Sequence, residues 1–184
     1  MNRDMDLIWW WKVLWKLKCP LKAKLLSRFL FSGKALTWDV LIMKGREGPS
    51  RCYLCNLEVE TNLHIGVECS FTRRVWLEIE SKLRLVNLWR GNSFLDYVKN
   101  WCLNVEVRYR SLPIIVSWFI WKARNQCWFE DIKSKPYQVS SLCLGLLNSY
   151  PMDNRSLNIR LVVEEIIDKE SPWGYLDGSA AGVP

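Results

Sequence analysis

Arg51–Trp76, RCYLCNLEVETNLHIGVECSFTRRVW, gathers three of the chain's seven cysteines and its only histidine. These residues fall in the pattern Cys52-x2-Cys55-x8-His64-x4-Cys69. Thiolates and an imidazole suit a tetrahedral zinc ion, and a set of four leaves no coordination position for water or substrate. The spacing therefore predicts a metal that builds structure and does no catalysis. Two other readings fit parts of the pattern. The cysteines could be small core residues beside one buried histidine, or Cys52 and Cys55 could be a redox pair, which leaves His64 and Cys69 unexplained.

Leu57 to Thr61 is short and polar, so Cys52 and Cys55 are expected on a tight turn with a hairpin-like return. Thr61 suits the N-cap of a turn of helix bearing His64. Five residues along a regular α-helix turn the chain about 140° away from its starting face. His64 and Cys69 therefore cannot both meet one ion from an unbroken helix, and Gly66 is the place for the helix to loosen. Ser70 or Thr72 is expected to cap the next helix, whose stripe Val75, Trp76, Ile79 and Leu83 points to the core. Three thiolates and a neutral imidazole around a divalent ion leave one net negative charge, which Arg51, Arg73 and Arg74 could offset.

The surrounding chain reads as mainly α. Its 184 residues, 49% of them hydrophobic, allow one domain of ordinary size or one domain with a short appendage. Twelve tryptophans are read mostly as core. Trp11, Leu14 and Trp15 share one face of a helix expected before Pro20, with Lys12 and Lys16 on another. A second helix is expected over 21–31 and stops at Gly33. Thr37 is placed to cap a third, Trp38 to Met43. Beyond the metal pattern, further helices are expected over Phe94 to Leu103, Ser111 to Phe129 and Val139 to Tyr150. Pro113 is tolerated in the first turn of the second of these. Residues 159–167, IRLVVEEII, fit strand or helix equally. The fold class is thus a small helical domain with an inserted Cys-Cys-His-Cys zinc-binding turn and no large sheet.

Charge is uneven along the chain. Residues 1–50 carry ten Lys/Arg against four acids, and residues 151–184 carry three against six, within a net charge of +7. A basic front favours polyanion contact near the amino end. Lys12, Lys16, Lys18, Lys22, Lys24 and Arg28 are the candidate phosphate-binding surface, since lysines among exposed aromatics can meet backbone charge and unpaired bases. The competing reading is a solvated face whose aliphatic stems cover tryptophan. Odd cysteine count and the absence of a signal peptide argue for a reduced intracellular protein, in nucleus or cytoplasm. Cys19, Cys102, Cys127 and Cys143 sit singly in apolar surroundings and read as core. The longest apolar run, Leu112 to Trp121, is too short to span a bilayer. A single histidine already assigned to zinc leaves none for Ser-His or Cys-His catalysis, and His64 lacks the His-x-Glu context of a zinc deaminase.

WKVLWKLKCPLKAKL, the Lys44-Gly45 turn, CYLCNLEVETNLHIGVECSFTRRVW and the later WFIWKARNQCWF resemble the zinc-binding domain that follows reverse transcriptase in plant non-LTR retrotransposons. The resemblance covers roughly residues 9–130. It combines the four ligands with Glu60-Thr61, Val75-Trp76 and the distal Trp121-Lys122-Ala123-Arg124-Asn125 block. It implies a non-catalytic module of a retroelement polyprotein, with Zn2+ held by Cys52, Cys55, His64 and Cys69 and with RNA or single-stranded DNA as partner. No membrane and no small-molecule substrate are implied. The family's second helix usually carries Phe-x-Trp-Arg, where this chain reads LLSRFLF and places Ser27. The tail SPWGYLDGSAAGVP is similar to the first strand of an RNase H-like domain, which makes Asp177 the counterpart of its first metal-binding carboxylate. Two-metal hydrolysis needs several carboxylates, so no active RNase H is expected from this stretch alone. The implied organisation is a zinc-binding helical domain over 7–150, a linker over 151–170 and a truncated RNase H-like start over 171–184.

Overall fold

The computed structural model describes residues 3–49 and 51–150, with side chains from Trp10 onward. The expected element at 159–167 and the RNase H-like stretch with Asp177 lie outside the described residues. Seven α-helices run in chain order among the described residues: α1 (Arg3–Lys16), α2 (Leu21–Phe31), α3 (Trp38–Met43), α4 (Ser70–Leu83), α5 (Phe94–Asn104), α6 (Leu112–Glu130) and α7 (Pro136–Asn148). The extended structure among them amounts to one isolated antiparallel bridge, Arg51 to Val59. The mainly α class follows.

The helix boundaries answer to local chemistry. Pro20 sits at the N-cap position of α2, and Gly33 closes it at φ 65° while the Lys34 N–H donates to the Phe29 carbonyl at 2.8 Å. Ser93 and Asp96 form a reciprocal capping box on α5. Pro113 stands in the first turn of α6, where its missing N–H costs nothing. The last helix begins at Pro136, three residues before the Val139 start expected from periodicity, because a proline in the first turn extends a helix backwards at no cost.

α6 forms the central post, with α2 and α7 packed on it and α4 packed on α7. Trp76 of α4 stacks on Trp89 at 3.8 Å between ring centroids and lies 4.8 Å from Trp101 of α5. Glu80 holds the connector in register by accepting from the Leu88 and Trp89 N–H groups at 2.9 and 3.0 Å. The Trp101 indole donates to the Tyr109 carbonyl at 2.9 Å, so this aromatic keeps a polar partner while fully buried.

The amino-terminal helix corrects one expectation. Its buried stripe is Trp10, Val13 and Leu14, continued by Leu17 just past its end, and Trp11 and Trp15 stand on the exposed shoulder at 36% and 38%. Of the expected face Trp11, Leu14 and Trp15, only Leu14 is buried. Ser27 is fully buried in α2 and its hydroxyl has no hydrogen-bond partner.

Candidate metal centre

The first two donors sit on a knuckle. Arg51 pairs with Val59, the Cys52 N–H donates to the Glu58 carbonyl at 2.8 Å, and the Asn56 N–H returns to the Cys52 carbonyl at 2.7 Å. Asn56 adopts φ 56°, a left-handed conformation that asparagine tolerates better than most residues. This is the hairpin-like return expected from the short polar spacer.

The second pair is brought together by a rare turn. The Thr61 hydroxyl accepts from the His64 N–H at 2.9 Å, as an N-cap should. The chain then widens into a π-helical turn over His64–Glu68, in which the Cys69 N–H donates to the His64 carbonyl at 2.8 Å. A wider turn carries five residues closer to a full circle than an α-helix does, and so restores His64 and Cys69 to one side. The loosening required by the 140° mismatch is thus a π turn followed by a break at Cys69, whose ψ is 130°. Gly66 lies inside it with the Phe94 ring against its Cα; an added Cβ would stand 3.1 Å from that ring.

Neither Ser70 nor Thr72 caps α4. Cys69 occupies the N-cap position, and the Thr72 hydroxyl donates back to the Ile65 carbonyl at 2.8 Å, tying the π turn to the helix that follows. A candidate donor sulfur therefore sits at a helix N-terminus. A hydrogen bond from Cys52 holds the Cys69 thiol below its ordinary range, assisted by the Thr72 and Phe71 backbone N–H groups and opposed by burial.

The four donor atoms lie within 4.8 Å of one another. Cys52 Sγ and Cys69 Sγ are 3.9 Å apart, and Cys55 Sγ is 3.3 Å from His64 Nε2. Zinc–sulfur bonds of about 2.3 Å place two sulfurs of a tetrahedron roughly 3.8 Å apart, so these separations match the edges of a zinc polyhedron. They are also far longer than a disulfide, and all seven cysteines are free. Cys52, His64 and Cys69 are buried and Cys55 is half-buried, which leaves one side open for the ion to enter. The residues fit Zn2+. They would hold it as a closed tetrahedral set that supplies folding energy and offers no position for substrate.

Proton affinities in the metal-free cluster define what an ion must displace. For Cys52, a hydrogen bond with Cys69 and burial push the thiol up to about 12. For His64, burial lowers the imidazole, but hydrogen bonds to Cys52 and Cys55 outweigh it and raise the group to about 9. Both shifts favour the protonated forms of Cys52 and His64 in the cluster without metal. Ligation must release both protons.

A second polar centre supports the first. Glu60, fully buried, accepts from Arg124 of α6: Nη2 to Oε1 at 2.6 Å, and Nε to Oε1 and Oε2 at 3.1 and 3.2 Å. Glu60 Oε1 also accepts from the Trp38 N–H at 3.2 Å, and the Glu60 carbonyl accepts from the Asp39 N–H at 3.2 Å. One carboxylate thus joins the metal loop, the start of α3 and the middle of α6. The Arg124 guanidinium is flanked by the Trp121 and Trp128 rings at 5.2 and 5.5 Å. Glu60-Thr61 and the Trp121–Asn125 block were separate signals in the sequence, and here they are two halves of one contact. Arg51, Arg73 and Arg74 are exposed instead, and the amides at the start of α4 face the cluster's charge.

The basic front is divided. Arg28 lies over Trp11 at 4.9 Å, and Lys24 lies over Trp15 at 5.9 Å while donating to the Trp15 carbonyl at 3.0 Å. Lys16, Lys18 and Lys22 are exposed, and Lys12 is half-buried. Among the described residues no helix is long and apolar enough to cross a membrane.

The family described as zinc-binding in reverse transcriptase has a model that matches residues 1–76. That span holds α1 to α3, all four donors and the first half of α4. No curated protein and no solved structure matches the chain.

Proposed function

We propose that the chain is a non-catalytic zinc-binding module derived from the reverse transcriptase polyprotein of a plant non-LTR retrotransposon, and that it contacts RNA or single-stranded DNA through its basic amino-terminal helices. The observation that carries this reading is the convergence of Cys52, Cys55, His64 and Cys69 within 4.8 Å, inside the span matched by the reverse transcriptase zinc-binding family. A closed donor set favours structure over catalysis. The exposed Lys16, Lys18 and Lys22 supply the charge for phosphate contact. In this reading 7–150 is the module, 151–170 a linker, and 171–184 with Asp177 the start of an RNase H-like domain. The module acts inside the cell, in nucleus or cytoplasm.

A second reading, a protein scaffold or a relic without a nucleic-acid partner, is favoured by Lys24 and Arg28, whose charges rest on Trp15 and Trp11. Binding of a labelled single-stranded RNA at low salt separates the two. Lys16→Glu with Lys22→Glu should weaken binding about tenfold or more and flatten its salt dependence. Absence of salt-dependent binding by the wild-type chain would leave the scaffold reading in place.

A further inference from the structure

Between the zinc knuckle and the carboxyl end of α6 lies an open cleft of about 460 Å³, lined in part by Arg51, Tyr53, Asn56, Asp131 and Lys133. Its lining includes none of the basic amino-terminal residues and none of the four donors. Two features make it a site. Arg51, Asn56, Asp131 and Lys133 are exposed, and their side-chain polar groups, with the Tyr53 hydroxyl, make no hydrogen bond or ion pair to the protein among the described residues. Its aromatic wall is fixed: Tyr53 packs edge-on against Trp128 at 4.5 Å, Trp128 lies 4.3 Å from Trp38, and Trp38 is in turn covered by the backbone at Gly48.

The geometry points to this cleft as the binding site for one unstacked nucleotide of a single strand. The volume falls within the range of small-ligand sites. Arg51 presents a planar fork to a phosphate and Lys133 a point charge beside it. Asp131 disfavours a second phosphate in the same space, which argues against polyphosphates, and it can accept from a base amino group or a ribose hydroxyl. Asn56 offers both a donor and an acceptor to a base edge. A paired duplex keeps its bases stacked, so only a single strand can place one here. This inference rests on the nucleic-acid reading above but assigns a contact to a different set of residues.

The test uses the full zinc-loaded chain and a labelled pentauridylate, with anisotropy read across a salt series. Arg51→Ala with Lys133→Ala should weaken binding about tenfold or more and reduce the salt slope by about two. Both residues are exposed, so zinc stoichiometry and helicity should stay unchanged and report that the variant folds. Uridine monophosphate should compete for the wild-type protein at concentrations where inorganic phosphate does not. Wild-type affinity in the double variant would overturn the cleft while leaving the amino-terminal contact intact, and so would equal competition by phosphate. If the wild-type chain bound no single strand, the nucleic-acid reading itself would fall, and the cleft with it.

Discussion

The metal loop, residues 51–69, and the tryptophan core shared by α4, the 84–93 connector and α5 hold their shape by different means. The loop has a single β-bridge, one π turn and a fully buried carboxylate, and its order depends on a few point contacts: four donors and the Glu60–Arg124 pair. The core depends on area, with Trp89 stacked on Trp76, Trp101 angled against both, and Val75, Ile79 and Val98 buried in the same hydrophobic cluster. Area tolerates the loss of one member by degrees; a polyhedron of four ligands does not. The loop should therefore fail abruptly and the core gradually.

The largest effect should come from the ion. Structural zinc sites contribute roughly 10–16 kcal/mol of apparent binding energy, comparable to the whole stability of a domain. Cys55→Ser should remove about one bound zinc per chain and, with it, helicity and thermal stability, read by metal analysis and circular dichroism. Trp101→Ala is the contrasting case. It should cost about 3–5 kcal/mol in urea denaturation and leave zinc stoichiometry unchanged. A variant that lost zinc together with Trp101 would dissolve the distinction between the two regions.

Acid should act on the loop before the core. Ligation must displace a proton from Cys52, at about 12, and from His64, at about 9, so protons compete with zinc throughout the neutral range. The sign is fixed: raising the pH removes the competitor. Zinc affinity, measured against a chelator between pH 6 and 8, should rise by about a hundredfold per pH unit from these two groups. A flat profile would mean that the donors are already deprotonated without metal.

Arg124→Met sharpens the comparison within the loop. It leaves the Glu60 carboxylate buried and unpaired, which should cost roughly 3–5 kcal/mol by denaturation while all four ligands remain. The smallest expected effect lies in the core. Ser27→Ala removes a fully buried hydroxyl with no partner and should raise stability by roughly 1 kcal/mol, seen as a modest gain in melting temperature.

The four donors were legible in the sequence because their spacing is itself the signal, and the break between His64 and Cys69 followed from helix geometry before any coordinates. Helix positions were equally accessible: Pro20, Gly33 and Pro113 act within one turn of where they stand. The misplaced features share a cause. The sequence alone could not say whether Trp10 or Trp11 faces inward, because two adjacent tryptophans carry equal hydrophobic signal and the choice depends on what α2 presents. Ser70 and Thr72 had the right chemistry for a cap, but Cys69 already held the position and Thr72 had a better acceptor in Ile65.

By itself, then, the sequence determined the candidate donor set, the helical class and the order of elements, since these rest on interactions among residues a few positions apart. Only the tertiary structure decided that Glu60 meets Arg124 across 64 residues, that Lys24 and Arg28 rest on Trp15 and Trp11, and that the knuckle and the end of α6 enclose a polar cleft. Such contacts have no local code. They exist because closing the chain around one core brings distant groups together, and where a charge is buried, as at Glu60, it is held by a partner.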